Sequence, residues 1–410
     1  MAAVIIQQTD KPQFFISLDA PLSRTNAPLN GFAYDTLAAG PLDRQPPTVC
    51  EDTESGRLAD GEARTLYYRE PVIAEKTKMQ DKYQKLKQPP WLKNSHGESR
   101  RVGVELEING LDLDVLAGSV AQILGLDIET KGRYERLLKG DSDGDWLVEL
   151  DFDLLKRLGR EPRSSDSFGG QLEETSEDIL AWAAESLVPH EVVSPPLPLA
   201  RLGEVEELIT QLRERGAKGT SDRATNAFGM QFNPELPSLE PRLITACLKA
   251  FLCLYDWLYV RADINFTRRV TSYVDPFPTN YVKKVIAADY WPDLSTLIDD
   301  YLADNPTRNR ALDMLPLFMF LDEDRVRSGA DDTLIKARPT FHYRLPDCEI
   351  DKPEWGLYVS WNDWVEVERL AADEARLQRC CASYLQYLNS PLKRIFSNWA
   401  TTVENRWLDQ

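Results

Sequence analysis

Short acidic and amide side chains recur two residues apart at several places in the sequence. Side chains at positions i and i+2 of a β-strand point to the same face. Carboxylates crowded on one face repel each other unless a cation lies between them, and Mg²⁺ prefers oxygen ligands. The spacing therefore predicts an oxygen-lined cation site. The acidic and amide pairs are Glu105 and Glu107, Glu149 and Asp151, and Gln231 and Asn233, and a fourth pair with the same spacing is His342 and Arg344.

Apolar residues alternate with each of these pairs. Val104 and Leu106 flank Glu105, and Phe232 lies between Gln231 and Asn233. If the strands share one sheet, its apolar face packs under helices and its other face collects the polar side chains. An ordinary half-solvated antiparallel strand shows the same alternation, so periodicity alone leaves both interpretations open. The residue types favour a site, since water-facing strand positions usually carry Thr, Lys or Arg.

The elements that must position these residues are strands separated by helices. This pattern suits either an α/β or an α+β fold, and periodicity does not choose between them. The sequence predicts strands at 101–110, 145–152, 189–194, 227–233 and 338–345, and helices at 112–126, 173–187, 202–215, 241–260, 361–388 and 391–407.

The chain divides into two predicted regions. Residues 1–85 are rich in Pro, Gly, Asp, Ser and Thr, which predicts an extended, partly disordered arm. The arm ends in a short basic helix at 75–87, stopped by the prolines at 89 and 90. Residues 86–410 are predicted to form one catalytic domain with C-terminal helices.

A second candidate cluster lies at 305–310. Asn305 is a suitable N-cap and Pro306 a suitable first helical residue. Arg308 and Arg310 would then lie in the first turn, where the helix dipole disfavours cations unless an anion such as phosphate is bound. Local pairing with Asp304 or Asp313 is the alternative.

Composition narrows the functional classes. The formal net charge of −18 disfavours binding to nucleic acid or to an anionic membrane surface. We see no secretory signal or spanning apolar run, and the six cysteines lack zinc-site spacing, so we expect a cytoplasmic protein. With three histidines in 410 residues, any metal would be held by carboxylates and amides, which favours Mg²⁺.

Five segments in order resemble the amidoligase family, distant relatives of glutamine synthetase and glutamate–cysteine ligase. The first looks like the family's G-x-E-x-E strand, and the second like its E-(L/V)-V-S-P-P-L strand and turn. Two positions depart from the family pattern: Gln231 stands where His is common, and His342 where Glu is common. The segments are 102–107, 191–197, 216–220 with 229–233, 305–315, and 338–344.

The resemblance implies an α+β fold. Its mostly antiparallel sheet would form a half-barrel like the catalytic domain of glutamine synthetase, with helices covering one face. It also implies an ATP- and Mg²⁺-dependent ligase, in which ATP phosphorylates a substrate carboxylate and an amine displaces the phosphate. The partners would be a carboxylate substrate and an amine donor (a small molecule, a peptide or a protein tail), and the enzyme could be an oligomer.

Roles for individual residues follow from the resemblance together with the residue types. Mg²⁺ is assigned to Glu105, Glu107 and Glu191, and the nucleotide to Gln231, Asn233 and His342. Arg344, Arg308 and Arg310 would stabilise the transferred phosphoryl group, because guanidinium groups suit phosphate oxygens. Glu149 and Asp151 would orient the amine or bind a second metal.

Two other functions remain open from the sequence. The substitutions at Gln231 and His342 would fit an inactive relative that binds nucleotide or peptide as an interaction module. A structural protein with a solvated acidic face is the third possibility, and it predicts no Mg²⁺-dependent nucleotide binding.

The N-terminal arm gives a first testable prediction. Its composition buries too little apolar surface to offset the entropy lost on ordering. A truncated protein that begins near Arg69 should therefore melt close to the temperature of the full chain in a calorimetric scan. A fall of many degrees would show that the arm packs into the core.

Overall fold

The computed structural model describes residues 86–151, 188–222, 228–262, 274–330 and 332–408. These residues belong to one compact unit, Tyr68–Gln410. The predicted arm and the predicted helices at 75–87 and 173–187 lie outside the described residues, except for Leu86 and Lys87.

Nine strands of the described chain form one open sheet in which every paired strand is antiparallel. Their order is β2-β3-β4-β5-β1-β7-β9-β8, and β6 pairs with β1. With its covering helices the sheet gives the α+β fold that the resemblance implies. The strands are β1 (Arg101–Ile108), β2 (Asp127–Thr130), β3 (Glu135–Lys139), β4 (Trp146–Leu150), β5 (His190–Val193), β6 (Leu197–Pro198), β7 (Met230–Pro234), β8 (Leu312–Asp313) and β9 (His342–Tyr343).

Every α-helix of the described chain except Pro391–Phe396, whose apolar side chains Leu392, Ile395 and Phe396 are exposed, buries at least one apolar residue in the core. Asp112 caps the first by accepting a hydrogen bond from the Val115 N–H at 2.9 Å, as an N-cap aspartate should. The helices are α1 (Leu113–Leu124), α2 (Leu202–Glu214), α3 (Pro241–Arg261), α4 (Thr279–Val285), α5 (Leu294–Asp304), α6 (Leu315–Leu321), α7 (Glu323–Gly329), α8 (Leu357–Ala372), α9 (Glu374–Leu388), α10 (Pro391–Phe396) and α11 (Trp399–Arg406).

Strand β1 has two chemically distinct faces. Val102, Val104, Leu106 and Ile108 are at most 2% exposed, whereas the residues between them are part-buried. Helices α3 and α8 cover the apolar face: the ring of Phe251 lies 5.9 Å from that of Tyr343, and Trp364 lies 5.3 Å from the same ring. The predicted division into an apolar and a polar face is confirmed.

Helix α3 is the core of this packing. By length and composition it is the one helix of the described chain that could cross a membrane, but 72% of its most apolar window is buried inside the protein. Burial of that extent is typical of a central core helix.

The predicted helix start at Asn305 is wrong. Asn305 ends helix α5, where its N–H donates to the Tyr301 carbonyl at 2.7 Å. Pro306 disfavours a helical conformation in the residue before it and cannot donate a hydrogen bond, so it stops this helix and does not begin another. The chain then turns towards β8 without a helical turn.

Two other predicted elements have different bounds. Of the strand predicted at 338–345, only His342 and Tyr343 pair as β9, since Pro339 and Pro346 flank them without N–H donors. The helix predicted at 361–388 is two helices, α8 and α9. The Asp373 side chain starts the second by accepting from the Arg376 N–H at 2.9 Å.

A buried ion pair joins the start of β1 to helix α8. The Arg100 guanidinium donates two hydrogen bonds of 2.7 Å to the Glu368 carboxylate, and both side chains are at most 2% exposed. Arg100 also donates to the carbonyls of Trp91 and Glu235, and the Trp364 indole donates to Glu368. These extra bonds satisfy the polar atoms that a buried pair would otherwise leave unpaired.

Breaking this pair should be costly. Glu368→Leu would leave the Arg100 charge buried without compensation, which costs about 3–5 kcal/mol. We expect urea unfolding to show a loss of that order, with partial recovery in the Arg100→Met/Glu368→Leu double variant. Glu323→Gln, which alters an exposed pair with Arg327, is the matched control and should change stability little. An equally small effect of Glu368→Leu would contradict the structural role.

Candidate active site

The polar face of the sheet forms one wall of a cavity of about 450 Å³. Strands β1, β4, β5 and β7 contribute Glu105, Glu149, Glu191 and Gln231, and Asp151 follows β4 directly. The other lining residues come from the 305–311 turn, from the segment that precedes β9, from β9, and from the position directly after it. They include Arg308, Lys336, Arg338, His342 and Arg344.

The strand register gathers the carboxylates. Glu191 is the Cα partner of Glu107 on one side and of Glu149 on the other. Burial raises the pKa of Glu191 well above its usual range, and the charges of Glu105, Asp151, Glu107 and Glu149 raise it further. The acidic wall is therefore short of positive charge at its centre.

Amide side chains on β7 donate hydrogen bonds to two of these carboxylates. Glu107 accepts hydrogen bonds from the Gln231 amide and from the Gly229 N–H, both at 2.7 Å. It does not line the cavity, whereas Glu105 does. The Asn233 amide donates to Glu105 Oε1 at 2.7 Å, and the Asn233 carbonyl lies 2.9 Å from His342 Nδ1. Of the predicted metal ligands, Glu105 and Glu191 thus line the cavity, and Glu107 does not.

The side of the cavity next to β9 forms a cationic wall. The Arg344 guanidinium donates to the backbone carbonyl of Arg308 at 2.5 Å, which anchors the Arg344 side chain to the 305–311 turn. Lys336 and Arg338 add two charges, and Arg338 reaches to 3.8 Å from Glu105 Oε1. Neither residue was predicted. Their positions carry a signal, because 336, 338, 342 and 344 are all separated by even numbers, as residues on one side of an extended chain are.

Arg310 does not line the cavity. Its guanidinium donates to Asn305 Oδ1 at 2.8 Å and to the Pro276 carbonyl at 2.7 Å. It also donates to the backbone carbonyl of Asp304 at 3.3 Å. Arg310 therefore makes local contacts, as the alternative to phosphate binding predicted, but it binds the backbone carbonyl of Asp304 and not its carboxylate.

Asp313 is a buried acid that sequence reasoning considered only as a pairing partner. It is fully buried on β8, opposite His342 in the register, and Oδ1 accepts from the Leu315 N–H at 2.9 Å. Burial raises the pKa of Asp313 to about 6, although the Leu315 hydrogen bond and nearby Arg308, Arg344 and Arg338 lower it. Among the described residues, Oδ2 has no hydrogen-bond partner.

The donor set of the cavity suits a hard cation in kind. Four carboxylates and one amide supply oxygen atoms, and the raised pKa of Glu191 reflects repulsion that a divalent cation would relieve. Within the described ranges, no three His, Cys, Asp or Glu side chains converge in metal-binding geometry. A cation bound here would therefore draw the carboxylates together from their present positions.

Comparison with known proteins identifies the class. The family model described as "Putative amidoligase enzyme" matches residues 98–366, which is more than half of the chain. The chain belongs to the amidoligase family. The matched range includes every cavity residue named above. No curated protein matches the chain.

The buried Asp313 gives a prediction about stability and pH. Because its folded-state pKa of about 6 exceeds the usual 3.8, the folded protein loses stability as pH rises from about 4 through about 6. Asp313→Asn keeps an acceptor for Leu315 and removes the charge. By the usual worth of a pKa unit, the variant should gain up to about 3 kcal/mol over the wild type at pH 7.5. The gain should vanish near pH 4 in urea unfolding. A difference that does not change with pH would contradict this origin.

Proposed function

We propose that the protein is an ATP- and Mg²⁺-dependent carboxylate–amine ligase that forms an amide or peptide-like bond through an acyl phosphate. The observation that carries the proposal is one cavity lined by carboxylates on the side of β1, β4 and β5 and by Arg and Lys on the side of β9. Its volume of about 450 Å³ lies within the range of small-molecule sites. The chain's membership of the amidoligase family supports a ligase reaction.

The cationic wall suits the phosphoryl-transfer step. A substrate carboxylate oxygen attacks the γ-phosphorus of ATP, and the bond between that phosphorus and the bridging oxygen breaks to release ADP. Arg344 and Arg308 would stabilise the negative charge that spreads over the transferred oxygens. The hydrogen bond to the Arg308 backbone carbonyl holds the Arg344 side chain in place before the substrate arrives, so Arg344 needs little reorganisation.

The acidic wall suits a metal and an amine. Glu105 and Glu191 would hold Mg²⁺, with Glu107 supporting them from behind, and Gln231 would contact the nucleotide. When bound, Mg²⁺ would neutralise negative charge on the phosphate oxygens. Glu149 and Asp151 would attract and orient the amine donor, which is a cation before it loses its proton.

Hydroxylamine can test the reaction class without knowledge of the amine. The protein would be incubated with ATP, Mg²⁺, hydroxylamine and each of the twenty amino acids as carboxylate donors. A ligase of this kind yields a hydroxamate and one ADP per product. Nucleotide binding with no ADP formed in any mixture would instead favour an inactive relative.

Loss of a metal ligand should weaken nucleotide binding. Glu105→Gln removes one negative charge but keeps an oxygen that can accept from Asn233, so the fold should survive. We expect calorimetry with an ATP analogue to show at least a tenfold loss of Mg²⁺-dependent affinity, the size usual for a disturbed metal site. Glu135→Gln is the matched control, since Glu135 shares this face on β3 but does not line the cavity. Equal affinities for Glu105→Gln and wild type would refute the assignment.

Arg344 should matter more for turnover than for binding. An interaction made mainly in the transition state lowers kcat when it is removed and leaves ground-state affinity less changed. Arg344→Ala should therefore reduce hydroxamate formation by about 10²–10³-fold, the cost of losing one such donor. Wild-type turnover combined with a much lower melting temperature would mark Arg344 as a structural residue.

A further inference from the structure

Three side chains form a hydrogen-bonded chain from the acidic wall to β9. The Asn233 Nδ2 amide donates to Glu105 Oε1 at 2.7 Å, and Asn233 Oδ1 lies 2.9 Å from His342 Nδ1. Asn233 is 7% exposed and His342 is 3% exposed, so water has little access to either side chain.

The Glu105 carboxylate determines, through Asn233, which nitrogen of His342 carries a hydrogen. An ionised carboxylate can only accept hydrogen bonds, so the NH₂ group of Asn233 must face Glu105. The Asn233 carbonyl oxygen then faces the imidazole, and this oxygen can only accept. His342 Nδ1 must therefore carry a hydrogen, because two acceptors at 2.9 Å would repel.

Arg338 competes for the same ring nitrogen. One of its terminal nitrogens lies 3.0 Å from His342 Nδ1. A guanidinium can only donate, so this contact requires the other tautomer, in which Nδ1 is unprotonated and Nε2 carries the hydrogen. The Arg338 side chain is 30% exposed and is also attracted to Glu105, 3.8 Å away, whereas Asn233 is anchored and buried. The geometry therefore favours Asn233, and not Arg338, as the residue that determines the tautomer of His342.

We propose that Glu105, acting through Asn233, holds His342 in the Nδ1–H tautomer, so that Nε2 accepts the proton of the amine donor. The proposal rests on the ligase function proposed above and gives His342 a catalytic role instead of a nucleotide contact. The adjacent strand β8 brings Asp313 opposite His342, and β7 on the other side carries no charged residue. The other charged groups of the cavity near His342 are Glu105 on β1, Arg308 in the 305–311 turn, and Lys336, Arg338 and Arg344 along its own segment.

The ammonium form of the amine loses two protons as the amide forms. The ammonium form of the amine gives one proton to His342 Nε2, and its nitrogen lone pair attacks the acyl carbon of the acyl phosphate. The bond from that carbon to the phosphate oxygen breaks, and phosphate leaves with the electron pair. The remaining excess proton on nitrogen passes to the departing phosphate, which gives the amide and hydrogen phosphate. The Glu105 carboxylate stabilises the imidazolium through Asn233, as a carboxylate behind a catalytic histidine does.

Nitrogen NMR of the full chain tests the tautomer without any substrate. The chain has three histidines, so His342→Gln assigns the signal directly. At mildly alkaline pH, wild-type His342 should show a protonated Nδ1 and an unprotonated Nε2. Asn233→Ala should move the hydrogen to Nε2, because Arg338 then becomes the partner of Nδ1. Gln231→Ala is the matched control, since Gln231 holds Glu107 and should leave the tautomer unchanged. An Nε2–H signal in the wild type would overturn the proposal.

A comparison of two amine substrates tests the role of His342 as the general base separately from the other steps of the reaction. Methylamine is largely protonated at neutral pH and needs a base, whereas hydroxylamine is a much weaker base and is largely neutral. With the amino acid that gives hydroxamate, His342→Gln should lower methylamide formation by roughly 10²-fold or more while hydroxamate formation falls far less. Equal losses with both amines would overturn the base role. If the wild type forms neither product, the ligase function fails, and the role of His342 as base fails with it. The NMR result would still stand as a separate finding about the tautomer.

Discussion

Repulsion among carboxylates on three adjacent strands is the constraint on which the rest of the site depends. Glu191 sits between Glu107 and Glu149 in the register, and its pKa is raised by burial and by four acidic neighbours. A like-charged surface of this kind is stable only if donors or cations offset it. The amides of Gln231 and Asn233, the Gly229 N–H and the cationic wall provide that offset.

The apolar face of the sheet pins this arrangement in place. A shift of one residue in the register of β1 would turn Val104 and Leu106 towards the cavity and Glu105 into the core, so burial of one face fixes the chemistry of the other. The Arg100–Glu368 pair adds a directional bond at the point where β1 begins. Buried ion pairs add little net stability compared with apolar residues, but they penalise alternative alignments in which one charge loses its partner. We therefore regard this pair as a device that fixes the register of the central strand.

The sequence predicts the structure correctly where the periodicity of apolar residues over a short segment determines it. Strand β1, helix α3 and the shared face of Glu105 and Gln231 follow from alternation and apolar composition, both of which are local. Prediction from the sequence fails where distant contacts decide. Asn305 and Pro306 match a helix start as well as a helix end, and only the preceding helix α5 distinguishes the two. The separation of Arg308 from Arg310 could not be predicted either, since their partners, the Arg344 side chain and the Pro276 carbonyl, are 36 and 34 residues away. Lys336 and Arg338 lie in a segment without regular structure, although their even spacing from His342 offered a signal.

The two departures from the family pattern have different consequences in this fold. Gln231 is committed to Glu107 through a donated hydrogen bond, a bond that neutral His could also make with one ring nitrogen, so this change preserves a contact. His342 replaces an acid, which can only accept when it is ionised, with a ring that donates on one side and accepts on the other. That exchange changes the requirement on the neighbouring residue: Asn233 must now offer its oxygen to β9 and its NH₂ group to Glu105. The observed orientation of Asn233 meets both demands at once, so the polar face accommodates a histidine at position 342.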